Sequence, residues 1–130
     1  MTFPAQHITI SINRPAQEVY AFAADPQNLP KWAAGLGGSI QKVGDDWIIG
    51  TVKIKFADQN PFGVLDHDVT LPSGETFYNP MRVVPNGDGC EFVFTLYRML
   101  NVTDETFARD AAAVENDLRT LKSILEADHE

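Results

Sequence analysis

The clearest hydrophobic pattern lies near the end of the chain. Phe107, Ala111, Val114, Leu118, Leu121 and Leu125 recur at steps of four, three, four, three and four, so at 100° per residue they share one narrow face. This predicts an amphipathic helix from Thr103 to Asp128, with Thr103 as N-cap and Asp104 and Glu105 in the first turn, where the helix dipole favours negative charge. At 1.5 Å per residue such a helix is about 39 Å long. A rod of that length needs an equally long surface to lie on, and the rest of the pattern supplies strands.

His7 to Ser11 alternates polar and apolar, with Ile8, Ile10 and Ile12 on one side, which predicts a first strand with one buried face. Asn13 ends it and can cap the next helix. Pro15 stands in a first helical turn, and Val19, Phe22 and Ala23 predict a short helix that stops near Asp25-Pro26. Residues 26 to 34 read as a second short helical piece, with Gly35-Leu36-Gly37-Gly38 as its exit turn. From Ser39 to Arg98 the period is two, broken by turns. Strands are predicted at 39–43, 46–49, 51–57, 63–71, 76–84 and 90–98, seven with the first. Among the separators, Asn86-Gly87 is the strongest turn signal, because a tight hairpin needs residues that tolerate positive φ.

Parity divides inside from outside. Val52, Ile54 and Phe56 oppose Lys53 and Lys55, while Phe92, Phe94 and Leu96 oppose Glu91, Val93, Thr95 and Tyr97. In the strand 63–71, Leu65, His67, Val69 and Leu71 form the apolar set, and Asp66, Asp68 and Thr70 point away. Pairing Asp66 with Arg82 sets His67 against Met81 and Leu65 against Val83, consistently on both faces.

Composition changes this picture little. At 130 residues with 44% hydrophobic and 22% charged positions, the chain suits one α+β domain spanning residues 1–130. No apolar run approaches the roughly 18 residues that span a bilayer. The N-terminus lacks a basic segment followed by an apolar run, so the expectation is a cytoplasmic protein without a secretory signal. Charge is more selective: the net −8 arises entirely in the second half, where residues 66–130 hold five basic and thirteen acidic side chains. Without a Lys/Arg cluster, such a chain repels a phosphate backbone, which argues against nucleic-acid partners and anionic membranes. The acidic helix face reads as a solvated surface or as a contact for a protein partner.

Strand, two short helices, six-stranded meander and long closing helix make the helix-grip arrangement, a seven-stranded curved antiparallel sheet wrapped around one long C-terminal helix. The sequence resembles the START-like superfamily called SRPBCC, in its polyketide cyclase/dehydrase-like bacterial branch. The resemblance rests on Val19-Tyr20-Ala21-Phe22 with Asp25-Pro26 and Trp32, on Phe62-Gly63-Val64-Leu65-Asp66-His67, on Met81-Arg82-Val83 with Asn86-Gly87, and on Phe107 through Leu125. It implies a mostly apolar cavity between sheet and helix, of the kind relatives use for lipids, sterols, polyketides and plant hormones. Some of them catalyse cyclisation or aromatisation and many only bind.

Candidate chemistry is sparse. Asp66-His67-Asp68 suggests a dyad or metal site, but neighbours on a regular strand face opposite ways, so His67 cannot reach either carboxylate. His67 becomes a lone imidazole on the cavity side, either a general base near neutral pH or a histidine satisfied within the core. Asp66 and Asp68 share the outer face, where Arg82 is a better partner than a cation, so no metal is expected. Cys90 is the only cysteine, which leaves no intrachain disulfide and no cysteine zinc site, and it reads as a small core residue. No GxGxxG or phosphate loop occurs, and no cofactor is called for. Trp32, Trp47, Phe56, Phe77, Phe92, Phe94 and Phe107, with Met81 and Met99, offer flat, adaptable apolar surface. The expected pocket comprises Ile54, Phe56, His67, Met81, Phe94, Leu96, Phe107 and Ala111, with Ala111 leaving space between helix and sheet. Tyr78 and Tyr97 are further polar candidates that tend outward. Alternating turns put the mouth near Met99 to Thr103. The leading expectation is a binder of a small apolar or aromatic ligand, followed by a cyclase-like enzyme using His67, then a protein-interaction module. A core with no cavity above about 300 Å³ excludes the first two.

Overall fold

The computed structural model describes residues 1–33 and 39–127; the expected turn at Gly35–Gly38 and the helix end at Asp128 lie outside them. In chain order the elements are β1 (Ala5–Ile12), α1 (Ala16–Ala23), a 3-10 turn (Pro26–Asn28), α2 (Leu29–Trp32), β2 (Ile40–Val43), β3 (Asp46–Ile49), β4 (Val52–Phe56), β5 (His67–Thr70), β6 (Thr76–Asn79), β7 (Met81–Asn86), β8 (Gly89–Tyr97) and α3 (Asp104–Ala127). The order and the long closing helix match the helix-grip expectation. The sheet does not: among the described residues eight strands form two antiparallel sheets, β1-β8-β7 and β2-β3-β4-β5-β6.

The physical reason for the split is Pro80. It lacks an N–H and divides the expected strand 76–84 into β6 and β7, while its carbonyl accepts the Thr95 N–H at 2.9 Å. The expected strand 63–71 is also shorter. Only His67–Thr70 sits in the five-stranded sheet, whereas residues 63–65 run along β7 through Leu65 N–H to Met81 O at 2.8 Å, Val83 N–H to Gly63 O at 2.9 Å, and a bridge between Val64 and Arg82. This short segment thus joins one sheet to the other.

The pairing is His67 with Asn79, Asp68 with Tyr78 and Val69 with Phe77. It is two residues from the expected Asp66–Arg82 register. A slip of two preserves every face, so the parities stand although the partners change. Likewise Asn86 pairs with Gly89, so Gly87 and Asp88 make the hairpin, with φ +60° at Gly87.

Pro15 rather than Asn13 caps α1, with ψ 140 and no side-chain hydrogen bond. The Asn13 N–H instead donates to the Glu126 carboxylate at 2.8 Å. Lys122 donates to the Ser11 carbonyl at 2.6 Å and pairs with Glu126 at 2.8 Å, so the end of β1 and the last turns of α3 are tied together. At the other end of α3, Thr103 is the N-cap, accepting the Thr106 N–H at 3.1 Å, and Arg98 pairs with Asp104. Between these ties α3 lies against β1, α2 and β8. Its stripe supplies Ala111, Leu118, Leu121 and Leu125 to a core shared with Ile12, Val19, Phe92 and Cys90. Cys90 is the buried core residue expected, its thiol pKa raised by burial.

Candidate functional site

The interior polar chemistry begins at His67, the first residue of β5. Its Nδ1 lies 3.1 Å from the Leu65 carbonyl oxygen. A carbonyl only accepts, so Nδ1 carries the proton and Nε2 of the neutral ring holds a lone pair. The ring packs against Phe56, with centroids 5.1 Å apart, and against Phe94 at 6.1 Å. Burial holds the imidazole pKa below its ordinary 6.5, outweighing the Leu65 carbonyl and the charges of Asp66 and Asp68. His67 is therefore neutral at pH 7.

Trp32, at the end of α2, is 4% exposed and meets Phe92 edge to face, with centroids 6.1 Å apart at 79°. Its indole Nε1–H is buried and, among the described residues, has no hydrogen-bond partner. Trp32 and His67 line the same cleft of about 210 Å³ between sheet and helix, with Leu29, Ala33, Val69, Asn79, Met81, Phe94, Val114, Asp117 and Leu118. A second cleft of about 360 Å³ shares Val69 and Asn79 with the first and continues toward the start of α3, lined by Phe77, Tyr78, Leu96, Tyr97, Met99, Val102, Phe107 and Asp110. That is the end of the sheet where the turn pattern placed a mouth.

The expected pocket residues are divided between these spaces. His67, Met81 and Phe94 line the first cleft, Leu96 and Phe107 the second, and both tyrosines border the second. Ile54 lines neither, being 1% exposed within the core. Ala111, 7% exposed, falls between the helix residues of the two clefts rather than opening onto one. Phe56 packs against His67, and both also line a separate outer cleft with Lys55, Asp66, Asp68 and Tyr78. Parity could have found Asn79, which shares the inward face with Phe77 and Met81. Asp117 flanks the helix stripe between Val114 and Leu118 and is half-buried on the cleft wall.

On the outer face Asp66 does bind Arg82, through Nε at 2.9 Å and Nη2 at 2.8 Å, diagonally rather than directly across. The carboxylate also accepts the Met81 N–H at 2.9 Å and the Tyr78 hydroxyl. Arg82 chiefly, against the opposing effect of burial and with help from Tyr78 and Met81, holds the Asp66 pKa down to about 2. Tyr78 is thereby committed to Asp66. A larger groove of about 450 Å³ lies elsewhere, between α1 and residues 60–63, but it includes no histidine, tryptophan or charged side chain. On the acidic helix face Glu115 pairs with Arg119 and Glu126 with Lys122. No helix among the described residues is long and apolar enough to cross a membrane.

A family model described as polyketide cyclase/dehydrase and lipid transport matches residues 6–126. No curated protein matches the chain. Among solved structures the fold is similar to DynU16, a protein in the dynemicin biosynthetic locus, with TM-score 0.73 and 14% identity over 94% of this chain and 47% of that one. The chain thus spans about half the length of DynU16. It is also similar to CalU16 from Micromonospora echinospora, with TM-score 0.70 and 15% identity over 97% of this chain and 76% of that one. The Aha1 dimer from Colwellia psychrerythraea gives TM-score 0.75 and 17% identity, covering 98% of this chain and 99% of that chain.

Proposed function

We propose that this chain, which belongs to the polyketide cyclase/dehydrase and lipid transport family, acts as one domain over residues 1–130 that binds a small apolar or aromatic ligand between its sheet strands and α3. The observation that carries this reading is the pair of adjoining clefts, whose walls are mainly Leu29, Trp32, Met81, Phe94, Leu96 and Phe107 with a few polar groups among them. Apolar concavities with a small number of convergent polar atoms are the usual form of small-molecule sites. The second cleft, at about 360 Å³, is above 300 Å³ and the first, at about 210 Å³, is below it. Native mass spectrometry of freshly purified protein is expected to show a co-purified apolar compound, or uptake of an added two-ring aromatic at one per chain. Protein that carries no such compound and takes up none of a panel of aromatics and fatty acids overturns the proposal.

A second reading, a cyclase-like enzyme, is favoured by His67. Its protonated Nδ1 is occupied by Leu65, and the remaining Nε2 is the basic atom of a neutral imidazole on the cleft wall. If the cleft holds a reactive chain, Nε2 takes a proton from it during ring closure. His67→Ala then abolishes turnover while apolar binding persists, and equal loss of both, or of neither, counts against catalysis by His67.

A further inference from the structure

His67 belongs to two spaces. Among the described residues it alone lines both the first cleft, beside α3, and the outer cleft of about 220 Å³. Its aromatic neighbours divide the same way: Phe94, at 6.1 Å, lines the first cleft, and Phe56, at 5.1 Å, lines the outer one. The ring is thus part of the partition between an apolar interior and a polar exterior. Charge is distributed unevenly about it. In the outer cleft Asp66 is already taken by Arg82, the Tyr78 hydroxyl and the Met81 N–H. The carboxylate of Asp68, half-buried on the same wall, has no hydrogen bond or ion pair among the described residues, although Lys55 and Tyr78 stand opposite Asp68 in the ladder. The first cleft has one acid, Asp117 of α3. The anions that favour a proton on the imidazole are Asp66 and Asp68, both in the outer cleft.

We infer that His67 is a proton-operated partition: neutral, it completes the wall of the first cleft, and protonated, it turns toward Asp68 in the outer cleft, so that an apolar ligand is released on acidification. This rests on the reading of the clefts as a ligand site and adds its regulation. Because Nδ1 already donates to the Leu65 carbonyl, the added proton goes to Nε2. A cation on a wall shared with Met81, Phe94 and Leu118 is poorly solvated, whereas the outer cleft offers it an anion without a partner. Asp66 cannot take that place without giving up Arg82 or Tyr78. Linkage sets the direction of the effect. A ligand that fills the first cleft strips water from the ring and so favours its neutral form. Protonation must then disfavour the ligand by the same factor.

The test uses naphthalene, a probe with no titratable group of its own. Its affinity is read by NMR from the Val114 and Leu118 methyl resonances, from about pH 8 down to the onset of acid unfolding, while the His67 ring nitrogens are titrated in the same samples. The expected affinity is constant while the ring is neutral and falls at least about fivefold as the ring takes up its proton. His67→Leu removes the fall. Should that variant fail to fold, His67→Gln, which cannot titrate, takes its place. Asp68→Asn lowers the midpoint of the His67 titration, because the imidazolium loses its counter-ion, and Asp117→Asn moves it less. Affinity that stays constant down to acid unfolding, or a fall that survives replacement of His67, overturns the switch and leaves the ligand site standing. A midpoint that follows Asp117 rather than Asp68 overturns the outward turn and with it the switch. Protein that binds naphthalene at no pH overturns the switch and counts against the ligand reading as well.

Discussion

At the scale of single residues, two neighbours in sequence, Asp66 and His67, illustrate opposite electrostatic solutions. Asp66 is buried but fully charged, because Arg82, Tyr78 and the Met81 N–H replace the water it loses. With its folded pKa down at about 2 against 3.8 unfolded, its contribution is complete above about pH 4 and disappears as pH falls through 2. Asp66→Asn should therefore flatten the acid limb of a stability profile between pH 4 and 2 and cost about 1–2 kcal/mol at pH 7, allowing for solvent around the half-exposed Arg82. Denaturant melts at several pH values check this. His67 is instead kept neutral by burial. Its folded pKa is lowered, so the unfolded chain binds more protons once pH drops below about 6.5. Its contribution is complete above that value and is eroded as pH falls. An NMR titration should place the His67 pKa below 6.5, and His67→Leu should make stability between pH 7 and 5 less dependent on pH. Strand alternation made the outward Asp66 and the inward His67 legible in sequence. The burial of the Trp32 indole N–H and the bond from His67 Nδ1 to the Leu65 carbonyl were not, since they depend on which atoms meet in three dimensions.

At the scale of elements, the helix was the most readable feature and the strand path before β5 the least. Six stripe positions fixed the face of α3, and the cap at Thr103 followed from residue type alone. Thr103→Ala should cost about 1 kcal/mol in thermal or denaturant melts, because the Thr106 N–H loses its acceptor. Residues 57–66 were harder because alternation there continues through a change of partner. Asn60 organises the change: its Oδ1 accepts the Phe62 and Val64 N–H groups, and its Nδ2 donates to the Asp58 and Val64 carbonyls. Gly63 comes next at φ +74°, where an added Cβ would stand 2.2 Å from the Val83 carbonyl oxygen. Both the backbone angle and the neighbouring backbone oppose a side chain, so Gly63→Ala should destabilise by roughly 2–4 kcal/mol or misplace β5 against β7. Chemical denaturation supplies the number. Pro80 could be read as a breaker from the sequence, but treating it as tolerated inside one strand concealed the boundary between the two sheets.

At the scale of the whole molecule, burial is uneven. The three-stranded sheet and α3 hold Ile12, Phe92, Leu118 and Leu121 at 0–1% exposure, whereas β2 has no fully buried residue. Local opening depends on buried apolar contact, so amide exchange should be slowest in β8 and α3 and much faster in β2. Equal protection of β2 and β8 would mean that the two sheets open as one unit. The clefts occupy the space between these unequal parts: Val69 and Asn79 come from the five-stranded sheet, Met81 and Phe94 from the three-stranded one, Trp32 from α2, and Val114 and Leu118 from α3. A molecule seated there acts as a brace, touching four pieces of chain, two of which, the sheets, are joined along the chain at Pro80 and through the short run along β7. At a free concentration a hundred times its Kd, such a brace adds about 2.7 kcal/mol to the folded state. That increment goes to the joint between the sheets, so a filled molecule should resist proteolysis first where the empty one is cut first.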